Sequence, residues 1–74
     1  MDSGMLWFDD RKNVSVIEKI AAAVKYYEQK YGNKPACCYV HSEVELEDLE
    51  TDDIDLRIET SNYVLPNHYL IETN

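Results

Sequence analysis

The residues best suited to chemistry fall in two short clusters. "PACCYVHSE", residues 35–43, places Cys37 and Cys38 just ahead of His41, Ser42 and Glu43. "FDD", residues 8–10, closes an apolar run with the paired carboxylates Asp9 and Asp10. Carboxylates with an imidazole can hold a divalent cation such as Mn, Zn or Mg. Asp9, Asp10, His41 and Glu43 are therefore the candidate ligands of a metal site, but their spacing matches no named metal motif. Cys37 and Cys38 invite a second reading, as a soft-metal or redox pair. A reactive thiolate needs an activating cation or a helix start. Only Lys34 is near in sequence, so the cysteines read better as small buried hydrophobes. Adjacent cysteines rarely bond each other, because the ring they would close is strained. Two cysteines make no disulfide framework, and the expectation is two free thiols in a reducing cytoplasm.

Other chemistry finds little support. There is no Gly-x-Ser-x-Gly elbow and no glycine-rich phosphate loop, and the chain holds only two glycines. The acidic run Glu43 to Asp55 lacks the spacing and central glycine of a calcium loop. His68 follows a Pro-Asn turn signal and reads as a surface residue. No catalytic residue and no cofactor is expected, and the chain reads as non-enzymatic.

The elements that would position these residues are legible. "MLWFD", residues 5–9, is an apolar and aromatic first strand. Ser15 and Glu18 then form a capping box, and Ile17, Ile20, Val24, Tyr27 and Tyr31 recur at three- and four-residue spacings. Gly32 can end a helix in the left-handed region, and Pro35 prevents its resumption. The pattern predicts a helix over roughly 16–31, with Glu18, Lys19, Lys25, Glu28, Gln29 and Lys30 on its outer face. "ACCYVH", residues 36–41, reads as a second strand. Alternation puts Ala36, Cys38 and Val40 on one face and Cys37, Tyr39 and His41 on the other, so the two thiols cannot share one ion. Ser42 and Glu45 can cap a short helical turn carrying Leu46 and Leu49. Residues 53–60 alternate as a half-exposed strand, with Ile54, Leu56 and Ile58 inward and Asp53, Asp55, Arg57 and Glu59 outward. Residues 68–73 form a last strand, with Tyr63 to Leu65 as a possible hairpin partner.

The fold class that follows is α+β: two layers, one long helix on a three- or four-stranded mixed sheet in β-α-β-β-β order. A strand–helix–strand unit predicts first and second strands that are parallel neighbours. Residues 1–4 read as a tail, natural or a cloning remnant, and residues 5–74 as one domain. The longest apolar run is Ile20 to Val24, too short to span a membrane, and the N-terminus lacks the pattern of a secretory signal.

Charge narrows the partners. The net charge is −8. Residues 1–34 hold six basic groups against five acidic ones; residues 35–74 hold ten acidic groups against Arg57 alone. This disfavours direct binding to nucleic acid or to anionic membranes, both of which call for Lys and Arg. One helix covers one sheet face and leaves the other open. That face is expected to carry Cys37, Tyr39 and His41, with Asp55, Arg57 and Glu59, and Trp7 if Leu6 and Phe8 turn toward the helix. Aromatic and Arg side chains anchor protein interfaces. The sequence thus predicts a small acidic interaction module, forming a homodimer or binding a basic protein, with the divalent-metal site as the alternative.

Overall fold

The computed structural model describes residues 4–49 and 54–73. The expected tail, apart from Gly4, lies outside the described residues, as does the stretch Glu50 to Asp53 of the acidic segment. The elements run β1 (Met5–Phe8), α1 (Val16–Tyr31), β2 (Cys37–His41), a 3-10 turn (Leu46–Asp48), β3 (Arg57–Ser61) and β4 (His68–Glu72). One helix on a four-stranded mixed sheet makes an α+β protein in β-α-β-β-β order. None of the described helices is long and apolar enough to cross a membrane.

The helix begins and ends where its capping residues demand. The Ser15 hydroxyl accepts the Glu18 N–H at 3.2 Å, and the Glu18 carboxylate accepts the Ser15 N–H at 3.3 Å. Two N–H groups with no partner inside the helix are thereby satisfied, an arrangement that stabilises a helix by about 1 kcal/mol. At the other end Gly32 sits at φ 78°, where a side chain would be strained, and its N–H returns to the Glu28 carbonyl. Ile20, Ala23 and Tyr27 form the buried stripe, with Ile17 and Val24 half-buried beside it. Lys19 departs from the expected outer face. It is buried and lies close enough to Asp9 to lower that residue's pKa.

The sheet order is β1-β4-β2-β3. β4 runs antiparallel to both β1 and β2, and β3 runs parallel to β2. The first and second strands are parallel to each other, as the strand–helix–strand rule suggests, but they are not neighbours. The C-terminal strand fills the gap between them. Sequence order alone cannot show this, because the inserted strand comes last in the chain. Tyr63 to Leu65 likewise form no strand; they belong to the loop into β4, which turns at Asn67 in the left-handed region with φ 65°. The 3-10 turn carries Leu46 as expected, but its cap, Glu45, makes no side-chain bond. Residues 54–56 keep the expected alternation while lying ahead of β3 itself, with Ile54 and Leu56 packed on the core.

The core fills the space between α1 and the sheet: Met5, Cys38, Val40, Tyr69 and Ile71 from the strands against Ile20, Ala23 and Tyr27 from the helix. Full burial of the larger aliphatic ones, Ile20, Val40 and Ile71, contributes about 1.5–3 kcal/mol each.

Candidate functional site

The side of the sheet away from α1 carries Leu6 and Phe8 from β1, His68, Leu70 and Glu72 from β4, Cys37, Tyr39 and His41 from β2, and Arg57, Glu59 and Ser61 from β3. This grouping follows from the strand registers and the alternation of side chains. It splits into two halves of different character.

The β1–β4 half is apolar. Leu6 is 62% exposed and Phe8 57%, and the loop above adds Leu65 at 65% and Tyr63 at 96%. Beneath the loop lies a groove of about 330 Å³ between Leu6, Leu70, Val64 and Leu65, closed by Ser61, Tyr63 and His68. No carboxylate and no lysine or arginine lines it. The Phe8 and His68 rings lie 4.9 Å apart and tilted by 49°, a favourable aromatic geometry.

Two histidines fix the loop that roofs this groove. His41 Nδ1 lies 2.9 Å from the Val64 carbonyl oxygen, and His68 Nδ1 lies 2.8 Å from that of Pro66. A carbonyl can only accept, so in both rings Nδ1 carries the proton. Val64 N–H and Tyr63 N–H donate to Ser61, and His68 N–H donates to the Leu65 carbonyl. Exposed apolar side chains are thus displayed on a hydrogen-bonded loop, which lowers the entropy cost of docking.

The β2–β3 half is polar at its margin. Arg57 and Glu59 pair at 2.8 Å, both largely exposed. The Glu59 carboxylate is the main reason the Arg57 guanidinium holds its proton more tightly than usual. Tyr39 is half-buried and stands beside this pair, while Cys37 is only 2% exposed. Cys37 therefore floors the open face and cannot touch a partner directly. Cys38 is fully buried on the helix side, and burial pushes its thiol up to about 12. Both cysteines are free and buried.

Trp7 corrects the expected site. It turns toward the helix, where its ring lies 5.1 Å from that of Tyr26 and packs at the edge of the core. Leu6 and Phe8 take its place on the open side. Asp9, two positions on, lies on the same side as Trp7, where burying a charge is costly unless it is paired. Asp9 is nevertheless only 7% exposed, because Arg11 satisfies it. The Arg11 backbone N–H donates to Oδ1 at 3.2 Å, Nε to Oδ1 at 2.9 Å and Nη2 to Oδ2 at 2.7 Å. These bonds hold the Asp9 carboxyl near pKa 2, against an ordinary 3.8.

The same contacts bear on the alternative metal site. The C-terminal ends of β1 and β2 do share one edge of the sheet, but β4 lies between them, setting the strands about 10 Å apart. Asp9 sits on the helix side with both oxygens engaged by Arg11, whereas His41 sits on the open side with Nε2 3.8 Å from Glu43 Oε1. Asp10 and Glu43 are exposed. Among the described residues no three His, Cys, Asp or Glu side chains converge to hold a metal ion.

Sequence reasoning missed Leu6, Phe8, Tyr63, Leu65 and Leu70. A run of four apolar residues in β1 shows no phase of its own, so nothing in "MLWF" says which pair faces out. Fold and site together define a small two-layer α+β protein with one sheet face that is uncovered among the described residues and partly apolar. Compared with protein-family models, with curated proteins and with solved structures, the chain matches none.

Proposed function

We propose that this protein is a non-enzymatic interaction module whose open sheet face packs against a protein partner. The carrying observation is the uncharged apolar patch of Leu6, Phe8, Leu65 and Leu70, with Tyr63 standing 96% exposed, in a chain of net charge −8. Exposed contiguous apolar surface rimmed by polar groups is characteristic of docking sites. The groove between Leu6, Leu65 and Leu70 accepts an apolar anchor from the partner. Tyr39 and Arg57 lie at the polar rim, where they contribute orientation rather than affinity.

The acidic residues Glu43, Glu45, Glu47 and Asp48 support a basic surface on that partner, attracted over the range that salt permits. A second copy of the chain is the other partner that the apolar patch fits. The two free, buried thiols suit a reducing compartment such as the cytoplasm.

Site-specific photo-crosslinking in cells tests this reading. A benzophenone amino acid at Leu65 is expected to give one or a few discrete adducts, and the same probe at Gln29, on the outer face of α1, none of them. No adduct at Leu65, or the same adducts at both positions, would count against the open face.

A further inference from the structure

The free edge of β1 lies in the plane of the sheet, and what it can bind is independent of the open-face reading. β1 ends the sheet, with β4 on one side and no strand beyond it among the described residues. The direction of its backbone groups can be worked out. Asp9 N–H donates to the Asn67 carbonyl at 2.9 Å, on the register that sets Phe8 opposite His68. In an antiparallel pair, bonded and non-bonded positions alternate. Met5 and Trp7 therefore bond to β4, and the N–H and C=O groups of Leu6 and Phe8 point away from it. Natural sheets blunt such an edge by keeping it short, or with Lys, Pro, a bulge or inward charges. β1 is short, at four residues, but carries no Lys, Pro, bulge or inward charge: its sequence is MLWF and its pairing with β4 runs unbroken.

We propose that β1 pairs antiparallel with β1 of a second copy about a two-fold axis through Trp7, joining two four-stranded sheets into one of eight strands. The edge is self-complementary in this register. Leu6 falls opposite Phe8 of the second copy, both on the open side. Their outward groups meet in two bonded pairs, giving four N–H···O bonds. On the helix side Trp7 meets its own copy, flanked by the half-exposed ring of Tyr26.

The bare, uncharged edge favours this occupant: β1 carries no side-chain charge for a basic strand to pair with. Two copies of a −8 chain still repel, most where Asp10 of one copy falls opposite Gly4 of the other, beside the Glu72 carboxylate, so the association is weak. Asp10 of each copy lies three residues from the axis in opposite directions. The pair is thus about 20 Å apart along the strands, well beyond the ~8 Å screening length of physiological salt. The contact is small beside the ~800 Å² per partner of a standard interface. The association is therefore weak and concentration-dependent. The joined sheet presents two apolar grooves on one side, so a partner with two anchors gains avidity.

The full chain is tested by sedimentation velocity from about 10 µM to 1 mM, and by NMR of an equal mixture of isotope-labelled and unlabelled protein. The expected result is a concentration-dependent dimer and a cross-copy contact between the Trp7 Hα protons, which face each other closely at a non-bonded pair. Phe8→Lys should reduce the dimer fraction at 1 mM at least tenfold while the chain stays folded by circular dichroism, whereas Leu65→Lys should leave the dimer in place. A wild-type monomer at 1 mM overturns the proposal. So does a dimer that lacks the Trp7 contact and dissolves on Leu65→Lys, which would be face-to-face packing and would leave the face reading intact. Conversely, a Trp7-centred dimer with no Leu65 crosslinks would uphold the edge and remove the face. The cross-copy contact is read on the wild-type chain, so the test does not depend on the folding of any variant.

Discussion

β1 and β3 both end the sheet, and among the described residues neither has a further strand beside it. Their chemistry differs. β3 sets Arg57 and Glu59 on the open side, paired with each other at 2.8 Å, and the 3-10 turn Leu46–Asp48 lies alongside. A second strand arriving there would have to strip water from two charges. β1 carries no charge along its four residues, and its open-side residues Leu6 and Phe8 are more than half exposed. The comparison teaches where an acidic chain can associate. Charged side chains line the β3 edge and none line β1, so if the chain associates by an edge, β1 is the one proposed.

The two edges also differ in how firmly they are held. β1 is anchored by Trp7 against Tyr26 and at its end by Asp9 in the grip of Arg11. β3 has the half-buried Ile58 and the exposed Thr60 on its inner side, with Ile54 and Leu56 ahead of it. The largest expected effect follows. Trp7→Ala should destabilise the protein by about 3 kcal/mol and Ile58→Ala by about 1.5 kcal/mol, since a large aromatic leaves the larger cavity. Urea unfolding followed by far-UV circular dichroism measures both. Equal losses would mean that β1 is no better anchored than β3.

Asp9→Asn comes next, at about 1–2 kcal/mol, because it weakens charge-assisted bonds to a buried carboxylate. The effect depends on pH with a definite sign. The folded pKa near 2 lies below the ordinary 3.8, so the carboxylate's contribution is fully present above about pH 4. It disappears as pH falls through 3.8 toward 2. Wild-type and variant stabilities, measured from pH 6 down to pH 2, should therefore converge in that interval. A difference that persists unchanged to pH 2 would show that the Arg11 contact is not its source.

The smallest stability effect, and the sharpest for the comparison, belongs to β3. Removing the exposed Arg57–Glu59 pair in an Arg57→Val, Glu59→Val double variant should change unfolding free energy by less than about 0.5 kcal/mol. It should nonetheless raise the assembly state, because both edges are then open to pairing. Light scattering at fixed concentration distinguishes higher assemblies from the wild-type species. An unchanged mass would mean that the charges of β3 guard nothing.

Legibility in the sequence followed the range of the interactions concerned. The helix and its two ends could be read from residues within a few positions of each other: Ser15 with Glu18, Gly32 at the close, and apolar residues at the period of one turn. The opposed cysteines of β2 followed from strand alternation alone. Lys19 reads outward because it is charged, and Asp9 reads as a free metal ligand; neither reading holds once a partner lies within reach. For Asp9 that partner is Arg11, two residues on, whose side chain folds back over it.

The sequence by itself thus determined what is local: one capped amphipathic helix, short strands, an acidic second half and a neutral first strand. Only the tertiary structure decided the rest. It inserted β4 between β1 and β2, which separated Asp9 from His41 and placed them on opposite sides of the sheet. It also chose the phase of β1, turning Trp7 onto Tyr26 and leaving Leu6 and Phe8 outside. The reason is the same in both cases. An all-apolar strand and a C-terminal strand have no local preference for face or neighbour. Their placement is set by which arrangement buries most apolar surface against a helix that is distant in sequence.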